Sequence, residues 1–227
     1  MAGVVNILKV DSKDISPDKN EALRYMGSRG REVSAEAMGV MEDVAKTADS
    51  AIRPRVCYLR VPVDIKTEEV DFSVITLRSA ALARLLKDCR YAYLFAATCG
   101  SELDRLIARQ SATSVARGAM CDAYGSAAIE AVCDYACDSF ERMEGAELTH
   151  RFSPGYSDLS IEVQPDFLRV LDANRRIGLT ITDGMMMVPV KSVTAIVGVR
   201  GDGASSCDDA GSGCSGCDAV DCIMRKE

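Results

Sequence analysis

A short turn in the second half of the chain carries the residues with the clearest chemistry, Arg151-Phe-Ser-Pro-Gly-Tyr156. Pro154 fixes its own φ and Gly155 can adopt a positive φ, so residues 153–155 predict a tight turn with exposed backbone amides. An arginine can bind a carboxylate through two hydrogen bonds, and an aromatic ring beside it can stack on a purine or contact a sulfonium. The turn is therefore a candidate ligand site, although a hairpin turn with a surface arginine also accounts for a Pro-Gly pair.

Three carboxylates precede this turn on a predicted helix. Glu130, Asp134 and Asp138 are spaced four residues apart, so they stack on one helix face. Like charges at that spacing cost roughly a few tenths of a kcal/mol per pair, which a cation would relieve. A solvated helix face explains Asp134 and Asp138 equally well. Glu130 differs, because it follows the small-residue patch Gly125-Ser-Ala-Ala128, where another element can approach closely.

The sequence after the turn extends the pattern. Ile177-Gly-Leu-Thr-Ile-Thr-Asp-Gly-Met-Met-Met-Val-Pro189 is followed by Lys191-Ser-Val-Thr194. In order and spacing these segments resemble the S-adenosylmethionine-binding signature of the activation domain of cobalamin-dependent methionine synthase. That signature is an Arg-x-x-Pro-Gly-Tyr turn, a short helix, Ile-Gly, Leu-Thr, an acidic residue, Met-x-Pro and Ser-Val. The resemblance is densest over residues 97–199, and Glu21-Ala-Leu-Arg-Tyr-Met-Gly27 is similar to the opening of stand-alone family members.

The resemblance implies a ligand, a site and a partner. Arg151, Tyr156 and the backbone of Ser153, Pro154 and Gly155 would hold S-adenosylmethionine, with Glu130 at its ammonium or sulfonium end. In the family, inert cob(II)alamin is reduced by one electron and then methylated from S-adenosylmethionine. The homocysteine, folate and cobalamin modules and an Asp-x-His-x-x-Gly loop have no counterpart here. The resemblance therefore implies a separate reactivation subunit, a methyltransferase component that is not active alone and that acts on a cobalamin-binding synthase subunit.

Cysteines fall into two groups. Of the ten, Cys57, Cys89, Cys99, Cys121, Cys133 and Cys137 lie among apolar neighbours, where core packing is the favoured interpretation, also for the i, i+4 pair of Cys133 and Cys137. The tail reads Cys207-x6-Cys214-x2-Cys217-x4-Cys222. Four thiolates suit an iron–sulfur cluster or a zinc site, but the spacing matches neither a bacterial ferredoxin nor a zinc ribbon. An exchangeable set of redox thiols and a loose thiol tail are the other interpretations.

Apolar periodicity and capping residues predict the elements that position these groups. We expect five helices. One covers residues 17–26, a second begins after Ser34, a third covers residues 79–86, a fourth runs from Gly100 to about residue 142 with a break at 110–113, and a fifth begins at Pro165. Strands are predicted over residues 56–63, 91–97, 148–152, 179–182 and 192–199. Strands and helices do not alternate regularly, so the fold class is α+β, a single domain with a largely antiparallel sheet and long helices, as in the activation domain. The domain is expected over residues 1–200, and a flexible Cys-rich tail over 201–227.

Length and charge narrow the functional classes. The 227 residues, 48% of them apolar, can bury a full core. A net charge of −7 argues against nucleic acid or an anionic membrane as partner. The sequence shows no signal peptide and no apolar run of membrane-spanning length, so we expect a cytoplasmic protein. It has no Walker loop, which argues against an enzyme that binds nucleotide phosphates, and His150 is its only histidine, which argues against a histidine-based hydrolase.

A non-enzymatic function is the alternative. In place of the tyrosine-bearing segment that follows Ser-Val in the longer synthases, this chain continues into its Gly/Ser/Cys tail. The tail would then supply the electron that the longer enzymes take from flavodoxin. On this alternative the protein is an electron-transfer adaptor or chaperone for a corrinoid protein, and it acts through its cysteine tail. Otherwise the resemblance implies an electron donor such as flavodoxin or ferredoxin as a partner.

Overall fold

A four-stranded antiparallel sheet organises the computed structural model, which describes residues 3–28 and 33–201. The strands in chain order are β1 (Asn6–Leu8), β2 (Arg55–Pro62), β3 (Asp64–Lys66), β4 (Glu69–Asp71), β5 (Thr76–Arg78), β6 (Cys89–Thr98), β7 (Thr180–Ile181), β8 (Met187–Val188) and β9 (Ser192–Arg200). The main sheet has the order β1-β2-β6-β9. Thr98 at the end of β6 pairs with Arg55 of β2 and with Ser192 of β9, so β6 is the central strand.

Seven α-helices and two short 3-10 helices, Ser12–Asp14 and Ile161–Val163, are described. The α-helices are α1 (Lys19–Tyr25), α2 (Ala35–Asp49), α3 (Ala80–Leu85), α4 (Ser101–Thr113), α5 (Val115–Glu144), α6 (Gln164–Val170) and α7 (Ala173–Ile177). The two predicted serine caps are confirmed, since the Ser34 hydroxyl accepts from Ala37 N at 3.2 Å and that of Ser79 from Leu82 N at 3.0 Å. The predicted break lies at Ser114, whose extended backbone ends α4 and whose hydroxyl caps α5.

Helices cover both faces of the main sheet. On one face α1, α2, α4 and α5 pack against residues such as Phe95, Ala97 and Val197. On the other, α3, α6 and α7 pack against Leu94, Ala96 and Ile196. Both sets of β6 side chains are therefore buried, which is why this strand is a continuous apolar run in the sequence. The α+β class and the antiparallel sheet are confirmed.

Several elements differ from the prediction, among them β1, α7 and β8, which were not predicted. Residues 148–152 form two isolated bridges, Leu148 to Val199 and Phe152 to Ile196, and no continuous strand. Between the bridges, the Thr149 hydroxyl accepts the backbone N–H of Gly198 at 2.9 Å, so a side chain takes a hydrogen bond that a regular ladder would give to a carbonyl. The three-stranded β3-β4-β5 sheet was not predicted, because its strands are three residues long and rich in charge.

Cysteine placement agrees with the packing prediction within the described residues. Cys57, Cys89, Cys99, Cys121 and Cys133 are buried, Cys137 is partly buried, and all six are free thiols. The last strand, β9, ends at Arg200. The predicted tail with Cys207, Cys214, Cys217 and Cys222 lies outside the described residues, so the domain boundary stays a prediction. Over the described ranges, none of the helices has the length and apolar character needed to cross a bilayer.

Candidate functional site

Helix α5 and the segment that follows it bring Glu130 and Arg151 together. The helix ends at Gly145, which adopts the left-handed conformation with φ +64° and turns the chain back towards the sheet. Phe152 then exchanges two backbone hydrogen bonds with Ile196, at 2.9 and 2.8 Å, and its side chain enters the core on the α6 side of the sheet. Because neighbouring residues of an extended segment point to opposite sides, Arg151 faces α5.

Arg151 pairs with two carboxylates of α5. Its Nη2 lies 2.5 Å from Glu130 Oε2 and its Nη1 lies 3.1 Å from Asp134 Oδ1. The exposed fractions of the side chains are 24% for Arg151, 35% for Glu130 and 70% for Asp134. Arg151 is thus the cation that relieves the repulsion between Glu130 and Asp134, while the Asp134 side chain itself remains largely exposed to solvent.

Electrostatics keep this arginine charged. Burial acts against the guanidinium, but the surrounding acidic groups outweigh it and raise the pKa of Arg151 above its ordinary value. A ligand carboxylate can therefore reach a permanent cation here, provided that it replaces a carboxylate of α5. In the structure Arg151 and Glu130 are paired with one another, so neither side chain is free to bind a ligand charge without breaking this contact.

The Pro-Gly turn, residues 153–156, is closed by its own backbone. Gly155 has φ +90°, and its N–H donates to Leu159 O at 2.8 Å. The N–H of Tyr156 donates to Ser153 O at 3.0 Å. The prediction that the turn offers exposed backbone amides is therefore wrong for Gly155 and Tyr156, since both donors are used within the turn. Pro154 is buried beneath it.

An aspartate just beyond the turn fixes it to α3, which the sequence analysis missed. Asp158 accepts hydrogen bonds from Ser79 Oγ at 2.5 Å and from Ala80 N at 2.7 Å. The hydrogen bond from Ser79, with help from the amides at the start of α3, lowers the pKa of the Asp158 carboxyl. The partners are separated by 79 residues, so no local pattern could have revealed the contact.

Tyr156 presents an exposed aromatic ring on the turn. It is 67% exposed, and Ile161, which contacts the Gly155 side of the turn, is 42% exposed. An exposed ring on an anchored turn can stack on a flat ligand group without first being uncovered. The region thus offers a fixed cation, a carboxylate and an aromatic face, a set that suits a charged ligand with an aromatic part.

Two residues of the segment 191–194 bind neighbouring helices, Lys191 to α5 and Thr194 to α6. Lys191 is almost buried, and its Nζ lies 2.9 Å from both Asp122 Oδ1 and Ser126 Oγ. Its aliphatic chain covers Gly125, where an added Cβ would lie 3.2 Å from Lys191 Cε. The small-residue patch is therefore approached closely, as predicted. Thr194, also buried, accepts a hydrogen bond from Gln164 Nε2 at 2.7 Å.

Cys133 and Cys137 lie near Arg151 on the same helix. Cys133 is fully buried, and burial raises the pKa of its thiol well above the usual range. Burial likewise raises the pKa of Cys137 to about 12. Both are protonated thiols that pack in the core. Across residues 3–28 and 33–201, no three His, Cys, Asp or Glu side chains are grouped to hold a metal ion.

A separate surface cavity of about 740 Å³ lies along β1 and the start of β2. Four of its lining side chains are basic and two are acidic: Lys9, Arg53, Arg55 and Arg176, with Asp11 and Asp14. None of the predicted site residues lines it. The predicted site lies apart from this cavity, next to α5, and its chemistry lies in charged groups.

Comparison with known proteins identifies the fold. No family model matches the chain, and no curated protein matches it. Among solved structures, the chain is similar to a crystal structure of the MetH reactivation domain bound to AdoHcy, with a TM-score of 0.64 and 14% sequence identity. The likeness covers 90% of this chain and 81% of that one. The chain therefore has the fold of a MetH reactivation domain.

Proposed function

We propose that this protein binds S-adenosylmethionine at Arg151 and the Pro-Gly turn, and that it reactivates a cobalamin-dependent methionine synthase. The observation that carries the proposal is the contact between Arg151, at the head of an Arg-x-x-Pro-Gly-Tyr turn, and Glu130 of α5. Residue types that resemble a ligand signature thus meet in space, in a fold similar to that of a domain solved with AdoHcy.

The residues present fit the ligand's charges. The amino-acid part of S-adenosylmethionine carries one carboxylate and one ammonium, and its sulfonium adds a second positive charge. Arg151 would bind the carboxylate through its planar fork, and Glu130 would then meet the ammonium or the sulfonium. Tyr156, which is exposed, would stack on the adenine, and Ser153, Pro154 and Gly155 would shape the floor beneath it. When bound, the ligand supplies an electrophilic methyl group.

The protein's own contribution is binding and orientation. A partner synthase subunit would carry the cobalamin, and a flavodoxin- or ferredoxin-type donor would supply the electron. Holding the methyl donor in one geometry over the corrin removes orientational freedom before the transfer, which is how a positioning subunit accelerates a reaction. We propose that the reaction occurs in the cytoplasm and that neither nucleic acid nor a membrane takes part.

Calorimetry and a coupled assay test this function. Titration of the full chain with S-adenosylmethionine should show one saturable site. The chain should also restore methylcobalamin on an inactive cob(II)alamin-bearing synthase when a reductant and S-adenosylmethionine are added. No binding by the chain, alone or with the synthase, would rule the function out. Binding without methylation in the presence of the synthase would leave a ligand sensor and not a reactivation subunit.

The rival function is electron transfer through the tail cysteines. It is favoured by one observation, namely that Glu130 and Asp134 already neutralise Arg151, so the ligand charges have no vacant partner. Anaerobic purification followed by metal, sulfide and ligand analysis on one sample separates the two. A cluster in a protein that binds no S-adenosylmethionine supports the adaptor, and ligand binding supports the reactivation subunit.

A further inference from the structure

Asp134 and Glu130 pair with the same guanidinium, but the free-energy cost of displacing each carboxylate by a ligand differs. Asp134 is 70% exposed and lies 3.1 Å from Arg151 Nη1. Glu130 is 35% exposed and approaches Nη2 more closely, at 2.5 Å. A displaced Asp134 carboxylate returns to water at little cost, whereas a displaced Glu130 remains partly desolvated and needs another cation.

We propose that Asp134 is the exchangeable counter-ion of the ligand site: it neutralises Arg151 in the free protein and competes with the ligand carboxylate for the same guanidinium. This inference rests on the proposed function and adds a residue that sets its affinity. Because Asp134 sits one helical turn beyond Glu130, it can leave Arg151 without disturbing the Glu130 contact. The ligand carboxylate takes the Nη1 side, and its ammonium joins Glu130.

The exchange makes the site selective for groups that carry both charges. A lone carboxylate would displace Asp134 but bring no cation for Glu130. A lone ammonium would compete with Arg151 for Glu130 and leave the guanidinium with less neutralisation. Only an α-amino acid group leaves Arg151 and Glu130 each with an opposite charge, so the ion pairs select the amino-acid end of a ligand independently of its other end.

The probe should carry the amino-acid group without a net charge. S-adenosylhomocysteine meets this need, because its thioether is neutral and its carboxylate and ammonium cancel. Long-range attraction to the Asp134 carboxylate then contributes little, and competition at Arg151 dominates. 5′-Methylthioadenosine has the same nucleoside and no amino-acid group, so it reports on the rest of the site alone.

Calorimetric titration of three variants of the full chain tests the inference. Asp134→Asn should bind S-adenosylhomocysteine about two- to fivefold more tightly than the wild type, the range expected for removing one exposed ion pair. Glu130→Gln should bind it more weakly. Asp138→Asn, which removes an exposed carboxylate one further turn along α5, is the matched control and should bind like the wild type. Raising the ionic strength should reduce the difference in affinity for S-adenosylhomocysteine between Asp134→Asn and the wild type.

The outcomes separate the inference from the function beneath it. If the wild type binds neither S-adenosylmethionine nor S-adenosylhomocysteine, alone or with the synthase, the proposed function and this inference both fail. If it binds S-adenosylmethionine but not S-adenosylhomocysteine, only the inference fails. If the wild type binds S-adenosylhomocysteine but Asp134→Asn binds it equally or less tightly, only the inference fails. It also fails if Asp138→Asn gains as much affinity, or if Asp134→Asn gains as much for 5′-methylthioadenosine, because the effect would then be one of general surface charge.

Discussion

Arg151 Nη2 lies 2.5 Å from Glu130 Oε2, although the two residues are 21 positions apart in the chain. The contact depends on α5, which presents the glutamate, and on the hydrogen bonds between Phe152 and Ile196, which set the direction of the arginine. It makes Arg151 a structural residue as well as a proposed ligand residue, so substitutions here act on stability and on binding together.

Two substitutions of Arg151 distinguish the contribution of its positive charge from that of its planar guanidinium group. Arg151→Lys keeps the cation but loses the planar fork, so we expect ligand affinity to fall by at least about tenfold, as for a hydrogen bond to a charged group worth about 1.5–3 kcal/mol. Arg151→Ala should lose the same affinity and also destabilise the fold, because Glu130 and Asp134 are left with their repulsion. Calorimetry with urea unfolding measures both. A folded Arg151→Lys variant that retains full affinity would exclude Arg151 from the ligand site.

Glu130→Gln keeps the shape of the side chain and removes its charge. The sequence alone suggests that stability should hold or rise, because repulsion with Asp134 is relieved. The ion pair with Arg151 reverses this expectation, and we predict a loss of about 1 kcal/mol in unfolding free energy together with weaker S-adenosylmethionine binding. Thermal unfolding and calorimetry test the pair of effects. Lower stability with unchanged affinity would make Glu130 purely structural.

Two glycines with nearly the same positive φ provide a controlled comparison. Gly155 has φ +90° and Gly27 has φ +88°. Alanine at either position should cost about 1–2 kcal/mol of stability, because L residues avoid this conformation. Only Gly155→Ala should weaken ligand binding, since Gly155 lies in the proposed site and its added Cβ would lie 3.3 Å from Ile161 Cδ1, while Gly27 has open space. Equal affinities for the two variants would place the ligand away from the Pro-Gly turn.

Buried thiols predict a loss of stability at alkaline pH. Burial raises the pKa of Cys57 and of Cys99 to about 12, whereas an unfolded thiol ionises near pH 8.5. The unfolded state therefore gains from ionisation above about pH 8.5, and each thiol should remove about 2 kcal/mol of stability by pH 10. Urea unfolding between pH 7 and 10 under reducing conditions measures this. In the Cys57→Ala variant the unfolding free energy should fall less steeply with pH than in the wild type. If the pH dependence is the same in both proteins, groups other than Cys57 cause it.

Removing residues 204–227 tests the proposed domain boundary. The sequence of residues 204–227 has no periodic apolar face that could add to a core, so unfolding free energy and S-adenosylmethionine affinity should be unchanged. If the tail cysteines carry the electron, the truncated protein should fail to support reactivation with a physiological donor and recover with a strong chemical reductant. A full-length variant with serine at all four tail cysteines should behave in the same way. Full activity with the physiological donor would leave these cysteines without an electron-transfer role.

Local signals predicted the elements well, and long-range contacts account for what they missed. The hydroxyls of Ser34 and Ser79 cap the helices that the sequence indicates, because a cap acts over three residues. The anchoring of the Pro-Gly turn depends on a contact between Ser79 and Asp158, which no local pattern encodes. Likewise, charge spacing suggested that Asp134 needed a cation, but only the fold shows that the cation is Arg151.

The uninterrupted course of α5 over residues 115–144 limits how this site can vary between relatives. One inserted or deleted residue between Ser114 and Glu130 would rotate the glutamate by about 100° around the helix axis and carry it away from Arg151. Length changes in the loop after Gly145 would be absorbed more easily, because Phe152 is fixed separately by Ile196. Distant homologues should therefore keep the spacing from the helix break to the glutamate, even where little else in the sequence is alignable.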